Sequence, residues 1–460
     1  MAENTKGSPH KGYNGHTLDE YGRSSGARAV VIVPVLPRHF RDDKDGSRDA
    51  AHERSPEARL EEAVGLTQAI ELDPVNSAIV TINDPRPATL LGTGKVEEIA
   101  AIISAEDVEV VIVDHPLTPV QQRNLELAWK AKVLDRTALI LEIFGHRART
   151  KEGVLQVELA HLNYQKGRLV RSWTHLERQR GGGGFLGGPG ETQIESDRRQ
   201  LQEKILKLKR ELETVRRTRD LHRAKRRKVP FPIVAIVGYT NAGKSTLFNR
   251  LTGSEVLAQD MLFATLDPTL RRLALPHGTT VILSDTVGFI SDLPTHLIAA
   301  FRATLEEVVE ADVVIHLRDI ADPDTAAQAA DVETILMDLG VDAQDRAKVL
   351  EVWNKIDLLD EANRERLLAD ARPGFDPIAI SAVTGEGIGQ LLAAIEQRIA
   401  GGLSEFPVSL SASQMGLIDW LYRHGQVVTR SDLEDGGVDL LVRTTEQARA
   451  QIEKRLRDTR

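Results

Sequence analysis

The stretch "GYTNAGKST" at residues 238–246 has residue types and a spacing that could hold the phosphates of a nucleotide. It matches G-x-x-x-x-G-K-[ST], in which glycines allow backbone N–H groups to approach phosphate oxygens closely. Lys244 would reach the β and γ phosphates, and the Ser245 hydroxyl would ligate Mg²⁺. An ordinary Gly-rich turn is the alternative, but the flanking "IVAIV" and "STLFNRL" supply the strand and helix that a P-loop requires. The predicted phosphate-binding residues are Gly238, Tyr239, Thr240, Asn241, Ala242, Gly243, Lys244, Ser245 and Thr246.

The tetrapeptide "NKID", which contains Asn354, Lys355 and Asp357, could select the base. The carboxylate of Asp357 can accept hydrogen bonds from N1 and N2 of guanine, whereas adenine has no such pair of donors and would leave it unpaired. Alone this tetrapeptide is a weak signal. Because it follows the P-loop and precedes "SAVTGEG", in which Ser381 and Ala382 would support the base, it predicts a guanine nucleotide.

Two segments between these motifs could sense the γ phosphate. "ILSDTVG" predicts a strand that ends in Asp285, which would hold Mg²⁺ through water, and in Gly288, whose N–H would contact the γ phosphate. "FATLDPT" supplies Thr265 as the expected second hydroxyl on Mg²⁺, with Thr269 as the competitor, and its Phe263 is also assigned to nucleotide binding. The predicted catalytic residues are Lys244, Thr265 and Gly288, and the predicted metal ligands are Ser245, Thr265 and Asp285. Together the four segments predict a GTPase domain.

The residue after Gly288 is Phe289, where Ras-type enzymes carry a glutamine that orients the attacking water. A phenyl ring can neither accept a proton nor align a water molecule. We therefore expect slow intrinsic hydrolysis that increases when a partner orders the segments around the γ phosphate.

Composition limits the class of protein. The 460 residues suggest two to four domains. A net charge of −9, from 59 Lys and Arg against 68 Asp and Glu, argues against a protein that is basic all over but permits local basic patches. The lack of cysteine excludes disulfides and thiolate metal sites, and Mg²⁺ is the only metal expected. No apolar run of about 18 residues occurs, so we expect no membrane insertion and a cytoplasmic location. A monomer is also expected.

The chain divides by composition into a multidomain α/β protein. Strand-like and helix-like stretches alternate in the amino-terminal part and again after the basic run, which predicts parallel sheets. The predicted parts are a disordered tail (1–27), an N-terminal parallel α/β domain (28–150), an antiparallel helical hairpin with a Gly-rich loop (151–228), a P-loop GTPase domain (229–400) and a small C-terminal α+β domain (401–460).

The hairpin carries several further patterns. Thr192 with Glu195 is spaced as a capping box that would begin the second helix. Apolar residues recur on one face of the first helix and at heptad spacing in the second, which predicts that the two pack as an antiparallel hairpin: Leu155, Leu159, Leu162 and Leu169, and Ile194, Leu201, Ile205, Leu208, Leu212 and Val215. The run "RRTRDLHRAKRRK" could be a solvated helix end or a footprint for phosphates. "GGGGFLGGPG" could be a flexible linker, or Phe185 and Leu186 could insert between stacked RNA bases.

"GTGK" at residues 92–95 has the wrong spacing for a second P-loop and is interpreted as a turn that begins a helix. Two rivals to a GTPase that acts on RNA stay open: a regulatory switch that acts on a protein effector, and a protein that remodels RNA with ATP through its N-terminal domain.

Several of these motifs resemble the Obg-related translation-factor GTPases, and within them the HflX family. The resemblance rests on "FATLDPTLRR", "DTVGFI" and "NKID", and above all on the Gly-rich block joined to "GETQIE". It covers the chain from about Glu57 to Ile399. It implies a GTPase that docks on the large ribosomal subunit and its rRNA and can split stalled or idle ribosomes.

Replacing Phe185 and Leu186 together with Ala should weaken any ribosome-dependent activity while nucleotide affinity is retained. The physical reason is that base stacking needs an apolar side chain, and alanine cannot supply one. Ribosome-stimulated GTP turnover and GDP affinity, measured on the same preparation, test this expectation. Loss of nucleotide binding would instead indicate a structural role for the loop.

Overall fold

The computed structural model describes residues 26–37, 54–179, 189–226, 231–253, 263, 269–291, 302–370, 377–400, 404–424, 426–433, 436–444 and 446–458. Thr265, Phe185 and Leu186 lie outside these residues, as do nearly all of the predicted tail and the end of the basic run. The chain forms two compact units, Met1–Arg41 with Leu60–Leu212 and Asp42–Arg59 with Glu213–Arg460.

The first unit contains a four-stranded sheet with the order β2-β1-β3-β4, in which every pair is parallel. The two central strands are nearly continuous runs of buried Val, Ile and Ala, as expected for strands covered on both faces, whereas the edge strand at residues 73–81 is mostly half-buried. The strands are β1 (Arg28–Val35), β2 (Asp73–Thr81), β3 (Val110–Val113) and β4 (Lys132–Asp135). The helices that alternate with them are α1 (Pro56–Gln68), α2 (Thr93–Ala105), α3 (Pro119–Trp129) and α4 (Arg136–Arg147). The predicted parallel α/β fold is confirmed.

The "GTGK" stretch forms the start of α2. Gly92 is the N-cap residue, with an extended backbone at φ −66° and ψ 151°, and the helix begins at Thr93. The interpretation as a turn that begins a helix is therefore confirmed.

The hairpin consists of α5 (Lys151–Gln179) and α6 (Pro189–Arg226). The hairpin buries part of its apolar surface, although Val154 and Leu206 are exposed, and the Lys166 ammonium of α5 donates to the side-chain oxygen of Gln202 on α6. The buried residues of the heptad pattern include Leu155, Leu162, Ile205, Leu208 and Leu212. The expected capping box is wrong, because α6 already begins at Pro189 and Thr192 lies inside it. Proline is favoured at the first helical position, where its missing N–H costs nothing.

Asp135 attaches α5 to the carboxyl edge of this sheet. This residue is 1% exposed, and its carboxylate caps α4 by accepting a hydrogen bond from Ala138 N at 2.8 Å. It also accepts hydrogen bonds from the Tyr164 hydroxyl at 2.8 Å and from the Arg168 guanidinium at 2.6 Å, both on α5. Burial, together with this carboxylate, raises the pKa of the Tyr164 phenol. A buried charge with this many partners fixes where the long helix leaves the domain.

The second unit contains a six-stranded sheet with the order β10-β9-β8-β5-β7-β6, and β6 pairs antiparallel to β7 while the other pairs are parallel. Its strands are β5 (Ile233–Gly238), β6 (Thr269–Ala274), β7 (Thr280–Asp285), β8 (Val313–Asp319), β9 (Val349–Asn354) and β10 (Ile378–Ala379). Its helices are α7 (Lys244–Thr252), α8 (Arg302–Val309), α9 (Thr325–Asp338), α10 (Glu361–Asp370) and α11 (Ile388–Ala400). The carboxyl ends of the parallel strands meet at one edge, where open α/β sheets bind their ligands.

The last part of the chain forms a small α+β fold, as predicted. A three-stranded antiparallel sheet with the order β11-β13-β12 packs its apolar face around Phe406, Leu421 and Ile452. Its elements are β11 (Ser404–Leu410), α12 (Ile418–His424), β12 (Gln426–Asp432), β13 (Val438–Thr444) and α13 (Glu446–Asp458). Among the described residues, no helix combines the length and the apolar character needed to cross a bilayer.

His316 is an unusual residue in the centre of β8, since its ring is 4% exposed and its Nε2 has no hydrogen-bond partner among the described residues. Burial lowers the pKa of His316 from 6.5 to about 4; the nearby Glu351 raises it and Arg318 lowers it. The imidazole is therefore neutral in the folded protein at neutral pH.

We expect His316 to reduce the free energy of unfolding as the pH falls from about 6.5 to 4. In that window the unfolded chain binds a proton that the folded chain does not, which costs up to about 3 kcal/mol. Leucine at this position fills a similar volume without titrating, so His316→Leu should remove this part of the pH dependence. Urea unfolding of both proteins at about pH 7 and about pH 4.5 measures it. An identical loss of stability in the two proteins would contradict the expectation.

Candidate nucleotide site

The turn between β5 and α7 has the backbone of a P-loop. Gly243, the N-cap of α7, has a φ of 91°, in the left-handed region that favours glycine. A Cβ on Gly243 would also overlap the side-chain amide of Asn354. The helix then starts at Lys244, which places its N-terminus, the end that attracts anions, directly after the loop.

Lys244 is held inside the loop that precedes it. Its side chain is almost fully buried, and its ammonium donates to the carbonyl oxygens of Tyr239 at 2.6 Å and Gly238 at 3.1 Å. Burial lowers the pKa of Lys244 to about 8, against the opposing effect of Asp285 and with a further lowering by Lys355. A nearby phosphate would stabilise the charged form of this poorly solvated ammonium.

Ser245 and Asp285 come together as predicted for a magnesium site. The Ser245 hydroxyl donates to Asp285 Oδ2 at 2.8 Å, and the carboxylate, at the end of β7, is fully buried. A hydroxyl and a carboxylate are hard oxygen donors of the kind that Mg²⁺ prefers, so these two residues fit the ion. The third predicted ligand, Thr265, lies outside the described residues. Among those described, no group of three or more His, Cys, Asp or Glu residues forms a further metal site.

Gly288 lies against the P-loop. A Cβ on Gly288 would come within 2.8 Å of the Thr240 methyl and 3.0 Å of the Lys244 ammonium, so a side chain would crowd the place where phosphates are expected. The next residue continues the contact through its backbone: Phe289 N donates to Gly238 O at 3.1 Å, and Phe289 O accepts from Thr240 N at 2.7 Å. The phenyl ring itself is 1% exposed and belongs to the interior of the protein.

The residues on either side of Thr265 are partly described. Phe263 is 2% exposed and has a φ of 57°. Thr269 begins β6 directly opposite Asp285 in the antiparallel pair. The choice between Thr265 and Thr269 as the second hydroxyl on Mg²⁺ stays a prediction.

Asn354 joins the two halves of the site. Its side-chain amide donates to Ala242 O in the P-loop at 2.8 Å, and its side-chain oxygen accepts from Ala382 N at 2.9 Å. Ala382 lies in the loop at residues 381–387, called the base loop below. Ser381, fully buried, shapes this loop by accepting from Thr384 N at 3.0 Å. The predicted phosphate and base motifs are therefore directly connected through one buried amide.

Asp357 has the environment that a guanine-reading carboxylate needs. It lies in a short 3₁₀ turn after β9, and its enclosed Oδ1 has no hydrogen-bond partner among the described residues. Leaving such an acceptor unsatisfied is costly, and a pair of ring and amino N–H donors would satisfy it. Lys355, two residues earlier, has a φ of 67° and forms an ion pair with Asp319 at 2.7 Å.

Two supporting residues carry no motif that the sequence analysis could use. Asp319 ends β8 and holds Lys355, whereas its neighbour Arg318 pairs with Glu351. Arg250, in the last turn of α7, donates through Nε to Ala382 O at 2.5 Å and through a second nitrogen to Val383 O. Both residues reach the base loop or the base motif from elements that are distant in sequence.

The lysine expected to bind phosphates and the carboxylate expected to read guanine occupy adjoining loops at the carboxyl edge of a mainly parallel sheet. This fold and this site define a P-loop GTPase. Models of protein families agree along the chain: residues 57–145 match "GTP-binding GTPase N-terminal", 147–226 "GTP-binding GTPase Middle Region", 233–355 "50S ribosome-binding GTPase" and 367–460 "HflX C-terminal domain".

Similar proteins extend over almost the whole chain. The GTPase HflX of Magnetococcus marinus is 49% identical over 89% of this chain and 90% of its own length. The GTPase HflX of Escherichia coli is 44% identical over 92% of this chain and 95% of its own. A solved GTP-binding protein of Sulfolobus solfataricus in complex with GDP aligns over 81% of this chain and 98% of its own, with 24% identity and a TM-score of 0.41. The chain belongs to the HflX family of GTPases, and it binds and hydrolyses GTP.

Arg250→Ala should speed the dissociation of GDP roughly tenfold, because two carbonyls of the base loop lose a charged donor. Arg364→Ala is the matched control, since Arg364 pairs with Glu386 on the same loop at 2.6 Å but in an exposed position, where an ion pair contributes little. Displacement of a fluorescent GDP analogue from each protein measures the rates. Equal rates for the two variants would show that the carbonyl contacts of Arg250 do not support the base loop.

Proposed function

We propose that this GTPase binds the large (50S) ribosomal subunit and, in its GTP-bound form, separates stalled or idle ribosomes in the cytoplasm. The nucleotide site would gate the contact: GTP with Mg²⁺ orders the segments around Thr265 and Gly288, and hydrolysis releases them.

The observation that carries this proposal is the match of residues 233–355 to a family described as a 50S ribosome-binding GTPase. The charge pattern supports rRNA as the contacted component. The chain is acidic as a whole, yet residues 216–228 contain eight Lys and Arg and one Asp. Such a local cluster binds phosphates through an electrostatic term that depends strongly on salt.

Within the site, different residues of the chain have separate roles in binding and hydrolysis. Lys244, whose ammonium is satisfied by two loop carbonyls, exchanges these contacts for β and γ phosphate oxygens. Asn354 and Arg250 hold the base loop in a fixed position relative to the P-loop. Asp357 can therefore bind guanine while the P-loop binds the phosphates. Bound Mg²⁺, held by Ser245, Asp285 and Thr265, would neutralise charge on the β and γ oxygens.

The position of Phe289 supports a requirement for a partner in hydrolysis. Its ring is buried and its backbone is bonded to the P-loop, so it cannot align the attacking water as a glutamine would. The missing alignment would come from ordering of the neighbouring segments on the ribosome, with Gly288 N–H on the γ phosphate.

Purified 50S subunits should increase GTP turnover strongly at low salt, and the increase should disappear at high salt as the phosphate contacts weaken. The full chain, alone and with subunits, is compared at two salt concentrations, and Lys244→Ala serves as the blank for contaminating GTPases. Light scattering of intact 70S ribosomes in the presence of a non-hydrolysable GTP analogue reports separation directly.

Turnover that is specific for guanine and unaffected by subunits would remove the ribosome from the proposal and favour a protein effector. Turnover of ATP that survives Lys244→Ala would point to the N-terminal domain as a second nucleotide-hydrolysing unit.

A further inference from the structure

Arg54, which precedes α1, lies against the P-loop. One guanidinium nitrogen donates to the Tyr239 hydroxyl at 2.8 Å, and the guanidinium carbon is 5.2 Å from the centre of the Tyr239 ring. Its Nε is 3.7 Å from Asp324 Oδ2, at the start of α9. Arg54, Tyr239 and Asp324 belong to the same compact unit, although Arg54 lies far outside residues 233–355 that match the GTPase family.

The surroundings of Arg54 compensate its buried charge. The Arg54 side chain is 9% exposed, and a cation is removed from water at a cost unless it is paired and hydrogen-bonded. Here the face of the Tyr239 ring, the Tyr239 hydroxyl and the Asp324 carboxylate together compensate the lost hydration of the guanidinium. Each of these interactions strengthens as water is excluded.

The hydroxyl of Tyr239 also holds the segment that follows Gly288. It accepts a hydrogen bond from Ser291 N at 2.9 Å and donates to Ser291 Oγ at 3.2 Å. A phenol has one donor and two acceptor positions, so the bonds to Arg54 and Ser291 use its full capacity. A change at Arg54 therefore acts on the same oxygen that anchors Ser291.

Tyr239 is part of the P-loop on its backbone side. Its carbonyl accepts from the Lys244 ammonium at 2.6 Å, and it forms a parallel bridge with Phe289. One residue thus connects the phosphate-binding lysine, the segment after Gly288 and the guanidinium of Arg54.

We propose that Arg54 is a positioning residue of the GTPase site. By fixing the Tyr239 ring, it keeps Ser291, and with it Gly288, in place beside the P-loop. Preorganisation of this kind lowers the cost of binding. Because Gly288 is the residue expected to contact the γ phosphate, the effect falls more heavily on GTP than on GDP. The inference depends on the GTPase site alone and is independent of the ribosomal partner.

The test uses the full chain and compares Arg54→Gln, Tyr239→Phe and the double variant. Dissociation of a fluorescent non-hydrolysable GTP analogue should become roughly tenfold faster in Arg54→Gln, whereas dissociation of the GDP analogue should change by no more than about threefold. Arg54→Lys keeps the charge but loses the fork geometry, and it should give an intermediate rate.

The double variant decides whether Arg54 acts through Tyr239. If it does, adding Arg54→Gln to Tyr239→Phe changes the rates no further, and the two effects are not additive. Arg28→Gln is the control, because Arg28 forms a half-exposed ion pair with Glu106 in the other unit and should leave both rates unchanged.

Three results would overturn the proposal. These are unchanged rates in Arg54→Gln, additive effects in the double variant, and equal acceleration of both nucleotides with a lower melting temperature of the nucleotide-free protein. The last result would reduce Arg54 to a contact that only stabilises the fold.

Discussion

The side-chain amide of Asn354 is the contact on which the nucleotide site depends. It donates to the P-loop at Ala242 O and accepts from the base loop at Ala382 N, and it is 2% exposed. A buried amide with both ends satisfied fixes two backbone segments relative to each other, because breaking either bond leaves a polar group without water. Gly243 has no side chain for the same reason, since a Cβ there would occupy the position of this amide.

Around this amide, the site is supported by charges that reach in from separate elements. Arg250 binds the base loop from the end of α7, and Asp319 holds Lys355 from the end of β8. Arg54 and Ser291 meet on the hydroxyl of Tyr239. The residues that would touch the nucleotide are therefore held in place by a second set of residues.

The first unit also has buried, paired charges at the carboxyl edge of its own sheet. Asp135 caps α4 and binds Tyr164 and Arg168 of α5. Next to it, the buried Arg136 pairs with Glu62 at 2.6 Å and with Asp114 at 2.5 Å. Where an α/β sheet of this type often places a ligand, this unit places a paired polar network that fixes a long helix. Within this network, Asp135 ties the middle of α5 to the edge of the sheet, and the two helices of the hairpin run over 29 and 38 residues.

The sequence alone determined the features that depend on residues close together in the chain. The turn at Gly238–Lys244, the strand end at Asp285 and the base motif at Asn354 each depend on a few adjacent residues, so their types and spacing predicted the chemistry, and alternating apolar runs predicted the parallel sheets. It did not determine the start of α6 at Pro189, since a capping pattern and a proline compete for the same turn. Nor could it identify Arg250, Asp319 or Arg54. Arg54 and Tyr239 are 185 residues apart in the chain, and a charged side chain carries no local signal of its partner. Only the tertiary structure, by bringing strand ends and helix ends to one edge, decided which charges support the site.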